Sequence, residues 1–373
     1  MFGDMPDHAE TYCQRLLDGH PDVLRQETRL TKIQLLKLVE WLQMHGGLEA
    51  TSTVSQVLKV MIFCYICGKG ATTRDAAAHF MRSVSIISAA FHEVLDAMQY
   101  LFEAYVRLPE DMHQTPKAIA DDPKLALFLD CIGAIDGTHI FTSVKGTTRE
   151  ATGAEVWRNR KGVLSQNVLA VCDFDMNFLV VHAGWEGSAH DATVLKDARA
   201  KGLLNLPADK YLVADAGYTE RTGYGGLVLA PYSAVRYHLQ EWAHSTNRPQ
   251  DKEELFNLRH AQLRNVVERI FGVFKNRFHI FDKARDGYSM ETQVKLVHAL
   301  TGLHNFINSF KDTDVEAEWQ ALVIDPERRH LVFADRPAVA SGVSMQFQCQ
   351  RRDVIASMMW DAYQAYHKEF GDL

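Results

Sequence analysis

The sequence has no long apolar run and little cysteine. No stretch reaches the roughly 18 uncharged apolar residues that a membrane-spanning helix needs, and the opening residues MFGDMPDHAE lack the basic and apolar regions of a secretion signal. Only 6 of the 373 residues are cysteine, which is typical of reduced thiols rather than of a disulfide framework. These absences predict an intracellular protein that does not enter a membrane.

An excess of basic residues is also missing. The net charge is −7, with 40 Lys and Arg residues against 47 Asp and Glu residues. A protein that coats nucleic acid non-specifically has a basic face, so the composition excludes that class for the chain as a whole. One local patch remains, because residues 258–287 hold seven basic residues against three acidic ones.

The composition is typical of a globular protein, and the length predicts two or three domains. Hydrophobic residues make up 47% of the chain and charged residues 23%, which leaves ample side chains for a core. The first unit, residues 1–122, is predicted to be all helical. In LTKIQLLKLVEWLQ, apolar residues three apart predict one buried helix face, formed by Leu30, Ile33, Leu36, Val39 and Leu42.

Residues 72–98 predict a short helix, a break near Ser83 and a longer helix. This outline fits a helix-turn-helix and a plain helical bundle equally well. Just before it, Cys64 and Cys67 form a CxxC in the apolar run FCYIC. Since no second pair follows at zinc-site spacing, core packing is favoured over a metal or redox site.

The second unit, residues 123–310, alternates between strands and helices and predicts an α/β fold. The order is three strands, a helix, a strand and a helix, with an insertion at about 219–256. Residues 311–373 are predicted to form a helical C-terminal extension, in which RRDVIASMMWDAYQAY indicates an amphipathic helix that packs on the core or on a partner.

Three acidic residues stand in separate phrases of this second unit. Asp136 in CIGAIDGTHI and Asp215 in YLVADAGY each end an apolar strand, and Glu268 in LRNVVERIFGVFK lies on the last helix. This is the order of carboxylates in an RNase H-like nuclease core. Three such carboxylates can hold two divalent cations, which activate a nucleophile and stabilise the leaving oxygen at phosphorus. Oxygen ligands favour Mg²⁺ or Mn²⁺, so the sequence predicts a metal-dependent nuclease.

Neighbouring residues qualify this assignment. Arg264 and Lys275 share a helix face with Glu268, and either can pair with a phosphate. Taken alone, Glu268 is equally well an ordinary surface residue with charged partners. A competitor for the second carboxylate is Asp191 in GSAHDATVL, which also caps a helix. His190 next to it suggests an HD-type phosphohydrolase, but the chain shows no comparable set of further ligands, so Asp191 is taken as a supporting or alternative residue.

With these phrases assembled, the chain resembles the DDE transposases of the PIF/Harbinger superfamily and the nucleases derived from them. The resemblance runs through AIDGTHI, WRNRKGVLSQNVLAVCDFDMNF, GSAHDATVL, ADAGY and RNVVERIFGVFKNRF, over about residues 130–280. It implies an RNase H-like DDE catalytic core behind an all-α N-terminal domain. It also implies an endonuclease that cuts transposon ends and transfers the 3′-hydroxyl strand to target DNA.

The resemblance further implies roles for individual residues. Asp136, Asp215 and Glu268 become the ligands of a two-metal Mg²⁺ or Mn²⁺ site. The residues expected to contact DNA or to support the site are His139, Arg158, Arg160, Lys161, Arg264 and Lys275, together with Arg74 and Arg82 in the segment 72–98.

The implied partners are transposon-end and target DNA, a Myb-like DNA-binding helper and a second copy of the chain. The implied location is the nucleus, with a cytoplasmic pool whose import depends on the helper. Two other functions stay open: a domesticated, catalytically silent protein that binds DNA or chromatin, and a general DNA or RNA nuclease that does not join strands.

Overall fold

The computed structural model describes residues 6–144, 153–218, 227–236, 248–310 and 343–370. The described N-terminal part is all helical, as predicted. Its helices are α1 Pro6–Asp18, α2 Pro21–Thr28, α3 Lys32–His45, α4 Gln56–Lys69, α5 Thr73–His79, α6 Val84–Tyr105 and α7 Lys117–Ala120.

Local chemistry explains where these helices begin. Thr31, Ser55, Thr72 and Ser83 each accept a hydrogen bond from a backbone N–H of the first turn, at the starts of α3, α4, α5 and α6. Such caps satisfy donors that have no partner within the helix. The buried thiols of Cys64 and Cys67 in α4 confirm that the CxxC is core material, and burial raises the pKa of Cys64 to about 12.

The predicted face of α3 is partly wrong. Ile33 and Leu36 are 67% and 41% exposed, whereas Leu35 and Leu38 are fully buried. A spacing of exactly three drifts away from the 3.6-residue repeat of a helix, so the stripe that stays on one side runs through Leu35, Leu38 and Leu42 instead.

Among the described residues, five strands form one sheet in the order β3-β2-β1-β4-β5. The pair β1–β2 and the pair β2–β3 are antiparallel, while β1–β4 and β4–β5 are parallel. The chain order of three strands, helix, strand and helix is as predicted, with β5 added at the edge. The strands are β1 Cys131–Phe141, β2 Ser165–Cys172, β3 Phe178–Glu186, β4 Tyr211–Val213 and β5 Val228–Leu229.

Helices cover both faces of this sheet. One face packs on α8, Asp191–Ala200, through a small apolar cluster that includes Ile135 and Leu195. The other face packs on α9, Lys252–Arg277, and α10, Met290–Asn308. The C-terminal helix α11, Val343–Phe370, lies against α9 and β5.

The division at residue 122 does not separate two cores. One hydrophobic cluster contains residues from Ala9 in α1 to Met359 in α11, and α6 packs closely on α10. The N-terminal helices therefore share one hydrophobic core with the helices that pack on the sheet. The division into domains at residue 122 stays a prediction.

One sequence expectation about the site is wrong, and two others lie partly outside the described residues. Strand β1 does not end at Asp136 but continues to Phe141, because its pairing with β2 runs on to Ser165. The predicted insertion 219–256 contributes β5 and the start of α9; its residues 219–226 and 237–247 lie outside the described part of the chain. The same holds for residues 311–342 of the predicted C-terminal extension.

No helix within the described ranges is long and apolar enough to cross a membrane.

Candidate active site

Asp136 lies in the middle of β1, on the face that packs against α9. Its Oδ1 accepts a hydrogen bond from the N–H of Gly137 at 2.8 Å, and its Oδ2 accepts one from Nη1 of Arg264 at 2.8 Å. The face is set by the strand alternation: Ala134 belongs to the cluster beneath α9, and Ile135 to the cluster beneath α8. Asp136 therefore returns to the α9 side.

Asp215 reaches the same place from the neighbouring parallel strand. Ala134 of β1 is paired with Val213 of β4, so Asp136 and Asp215 each stand two residues beyond a paired position. Asp215 follows the end of β4, and it is near Asp136 because, after burial, it contributes to the raised pKa of Asp136. Oδ1 of Asp215 accepts the N–H of Gly217 at 2.9 Å, which fixes the turn that follows.

Glu268 comes from α9, opposite these two strand positions. Arg264, one turn earlier, bridges the two elements: its Nη1 donates to Asp136 and its Nη2 donates to Oε1 of Glu268. The Arg264 side chain is only 10% exposed. One guanidinium thus joins the strand carboxylate to the helix carboxylate.

The electrostatics agree with a compact acidic site. Burial raises the pKa of Asp136 above its usual range; Arg264 opposes this shift, while Asp215 and Asp191 add to it. Tyr218 is buried beside the same groups, and its pKa is raised by burial first and then by Asp191, Asp136 and Asp215. The tyrosine ring therefore faces the carboxylates.

Asp191 lies on the other side of β1. A Cβ atom built on Gly137 would stand 2.5 Å from Oδ1 of Asp191, and Gly137 is paired with Leu169, which belongs to the cluster under α8. Nδ2 of Asn167 donates to Asp191 Oδ1 at 2.7 Å. Burial raises the pKa of Asp191 and Asp215 adds to this shift, so Asp191 also lies close to the aspartates of the site.

Lys275 and His139, which were also expected at the site, both make hydrogen bonds within the protein. The Lys275 amine donates to Thr138 Oγ1 at 2.8 Å and to the carbonyl of His139 at 3.0 Å, and burial lowers its pKa to about 8. The ring of His139 pairs with the hydroxyl of Ser165 at 3.1 Å, and its pKa is lowered to about 4 by burial and then by Lys275 and Arg160. His139 is therefore neutral at physiological pH.

A tight basic turn borders the site on the α8 side. Oδ1 of Asn159 accepts the N–H groups of Lys161 and Val163, and Nη1 of Arg158 donates to the carbonyl of Gly162 at 2.7 Å. Gly162 has φ +75°, a conformation that favours glycine. The turn exposes Arg158, Arg160 and Lys161, and Nη2 of Arg160 lies 3.4 Å from Nδ1 of His190.

The N-terminal DNA-binding candidates lie elsewhere. Arg74 is exposed on α5, but Arg82 is only 3% exposed and its Nη2 donates to the carbonyl of Thr53 at 3.0 Å. The outward face of α6 carries the acidic residues Glu93 and Asp96. A guanidinium held inside the fold and an acidic helix face are poor surfaces for phosphate contact, so the structure gives the helix-turn-helix no support.

Within the described residues, no group of three or more His, Cys, Asp or Glu side chains is arranged to hold a metal ion. The donor set nonetheless fits a hard cation, because Asp136 and Glu268 already share one cation in Arg264. The guanidinium of Arg264 lies between these two carboxylates.

Sequence reasoning identified the three carboxylates but treated Arg264 as a phosphate contact. The four-residue spacing in RNVVE predicts its pair with Glu268, whereas its reach to Asp136 depends on how α9 lies across β1. Tyr218 was missed, although it stands in the same ADAGY phrase as Asp215.

Comparison with known proteins is consistent with this geometry. Residues 135–305 match the family described as DDE superfamily endonuclease, and residues 7–100 match a family described as a domain of unknown function, DUF8040. No solved structure matches the chain significantly.

Two kinds of relative stand out. Human HARBI1, which carries the name of a nuclease, is 25% identical over 261 residues, or 69% of this chain and 67% of that protein. The Xenopus laevis protein of the same name is 25% identical over 249 residues, or 66% and 65%. A protein named ALP1-like from Arabidopsis thaliana is 26% identical over 208 residues, or 52% of this chain and 47% of that one. These matches confirm the resemblance to Harbinger-derived proteins.

Proposed function

With residues 135–305 forming a DDE superfamily endonuclease domain, we propose that this chain cuts DNA in a reaction that depends on Mg²⁺ or Mn²⁺ held by Asp136, Asp215 and Glu268. The observation that carries the proposal is the arrangement of these side chains. Asp136 lies on β1, Asp215 follows the end of the neighbouring parallel strand β4, and Glu268 is joined to Asp136 through a single guanidinium.

Each residue of the site has a distinct task. The three carboxylates supply oxygen ligands, while Gly137 and Gly217 fix the orientation of Asp136 and Asp215 through their N–H groups. Bound divalent cations would supply activation of the attacking hydroxyl and stabilisation of the leaving oxygen. Lys275 holds α9 on β1, so that Glu268 faces the strand ends.

The basic turn at residues 158–163 is the proposed contact for the DNA backbone beside the scissile bond. Arg160 and Lys161 project from a turn that Asn159 makes rigid. Phosphate contacts of this kind position a duplex without reading its sequence. In this proposal the basic turn positions the DNA strand, and the carboxylate site cleaves it.

The test is cleavage of a supercoiled plasmid by the purified full chain. The plasmid carries the DNA that flanks the gene, and the reaction is run with Mg²⁺, with Mn²⁺ and with a chelator. We expect nicked and linear products only with metal, and none with Glu268→Gln. Equal cutting by the parent and by this variant in Mg²⁺ would refute the proposal.

A second candidate is a catalytically silent DNA-binding or chromatin-binding protein. The observation that favours it is the Arg264 bridge, which neutralises the carboxylates without metal. The same plasmid assay separates the two, because a silent protein retards DNA without cutting it. A strand-transfer assay then separates a transposase from a general nuclease, since only a transposase yields joined products.

The proposed partners are terminal-repeat and target DNA, a Myb-like helper with its own basic surface, and a second copy of the chain that brings two DNA ends together. The motive for a helper is electrostatic, because a net charge of −7 leaves positive charge only in patches. Nuclear location, with import that depends on the helper, belongs to the same proposal.

A further inference from the structure

We propose that Arg264 is an internal counter-ion that competes with metal, so that a divalent cation binds the carboxylates only after the guanidinium has left Asp136. This inference rests on the proposed function, because it concerns the same carboxylates. It goes beyond it by assigning control of metal affinity to one residue of α9.

The first argument is position. Nη1 and Nη2 of Arg264 contact the strand carboxylate and the helix carboxylate at the same time. Oδ1 of Asp136 already accepts the N–H of Gly137, so Arg264 takes the oxygen that points towards α9. A cation that bridges Asp136 and Glu268 must enter the space that the guanidinium fills.

The second argument is charge. Arg264 is buried, with 10% of its side chain exposed, and charges in such surroundings are weakly screened. A divalent cation placed next to a retained guanidinium is therefore repelled. Once the guanidinium turns away, the same carboxylates attract the metal with their full charge.

The third argument is what Arg264 does without metal. A partly buried carboxylate with no counter-charge destabilises a fold, and the side chain of Asp136 is only 19% exposed. Arg264 offsets this cost in the metal-free protein. The Arg264 side chain therefore stabilises the metal-free protein and, by the same contacts, lowers its affinity for metal.

The experiment measures Mn²⁺ binding to the full chain without DNA, by calorimetry and by the metal-induced rise in melting temperature. We expect Arg264→Gln to melt at a lower temperature than the parent without metal but to bind Mn²⁺ more tightly, on the order of tenfold. Its melting temperature should also rise more when Mn²⁺ is added, since a ligand stabilises in proportion to its affinity.

Two further variants keep the test decisive. Arg264→Lys keeps the positive charge but cannot contact both carboxylates as the guanidinium does, so its affinity for Mn²⁺ should lie between those of the parent and of Arg264→Gln. Arg269→Gln removes the same charge from α9, one residue after Glu268, and should also bind as the parent does. Folding of each variant is checked by circular dichroism.

The outcomes separate this inference from the proposed function. Parental or weaker Mn²⁺ affinity in folded Arg264→Gln overturns the inference, and so does an equal gain in Arg269→Gln. Asp136→Asn is expected to lose Mn²⁺ binding. If Asp136→Asn loses Mn²⁺ binding while Arg264→Gln binds Mn²⁺ as the parent does, the metal site stands and only the counter-ion role of Arg264 fails. If Asp136→Asn binds as the parent does, both fail.

Discussion

Oδ1 of Asp191 occupies the space where a side chain on Gly137 would begin, with only 2.5 Å between that oxygen and an ideal Cβ. The contact lies on the α8 face of β1, whereas Asp136, the preceding residue, projects towards α9. Asp191 is nevertheless close to Asp136, because it adds to the rise in the pKa of Asp136 that burial and Asp215 cause. This relationship bears on which acidic residue completes the site.

Asp215→Asn should therefore cost far more activity than Asp191→Asn. We expect Asp215→Asn to fall below about one hundredth of the parental cleavage rate, because losing a charged group at the reacting phosphate costs roughly 10²–10³ in rate. Asp191→Asn should lose less, since Asp191 is held by a hydrogen bond from Asn167 and acts on Asp136 less strongly than Asp215 does. Cleavage rates in Mg²⁺ give the comparison, and the reverse order would make Asp191 the second ligand.

Glu268→Gln should abolish cleavage and leave the fold intact. The substitution removes a charge that a metal pair needs while barely changing side-chain volume, and Glu268 is about half exposed, at 48%. Cleavage rate and melting temperature are the measurements. Glu253→Gln, on the first turn of the same helix α9, is the matched control and should cut normally. Loss of activity in both variants would point to damage to α9 rather than to ligand loss.

Removing the charges of the basic turn should weaken DNA binding at every sequence alike. With Arg160→Gln and Lys161→Gln combined, the slope of log affinity against log salt should become shallower by about 1.8, since each lost phosphate contact contributes about 0.9. A binding titration at several salt concentrations measures it. Lys117→Gln with Lys124→Gln removes two exposed charges outside the turn and should leave the slope unchanged. Equal slopes in all three proteins would contradict the assignment.

Acid should destabilise the fold through His260. This side chain is fully buried against the carbonyl of Leu229, and burial lowers its pKa to about 3. The unfolded chain binds a proton near pH 6.5 and the folded chain does not, so this contribution is complete above pH 6.5 and is lost as the pH falls. At pH 5 the loss is about 2 kcal/mol. Urea unfolding gives the free energy of unfolding at pH 7 and at pH 5. The difference between the two values should be smaller in His260→Gln than in the parent, and an equal difference in both proteins would refute this.

The C-terminal helix should add measurable stability through Tyr232. Its hydroxyl donates to Oδ1 of Asp353 at 2.6 Å, and Arg352 lies 4.0 Å above its ring. Tyr232→Phe removes only the hydrogen bond and should lower the free energy of unfolding by about 1 kcal/mol. Tyr100→Phe, at an exposed position of α6, is the control and should be neutral. No change in Tyr232→Phe would mean that this hydrogen bond does not stabilise the packing of α11.

The sequence alone predicts the three carboxylates as site residues, because each stands in a local phrase. An apolar run that ends in Asp-Gly or Asp-Ala-Gly marks a strand that stops being buried, and the spacing of Val267, Ile270 and Phe274 predicts a helix with an apolar stripe beside Glu268. The order of strands and helices followed from the same local patterns. These are properties of consecutive residues, so no tertiary contact was needed to predict them.

Which side of the sheet each carboxylate takes was decided only by tertiary structure. Strand alternation makes the face depend on register, and the register of β1 with β2 turns Asp136 towards α9 and Gly137 towards Asp191. The contact of Arg264 with Asp136 spans 128 residues of sequence. It exists because α9 crosses β1 at one angle, and that angle follows from the packing of the whole apolar cluster, which no local pattern encodes.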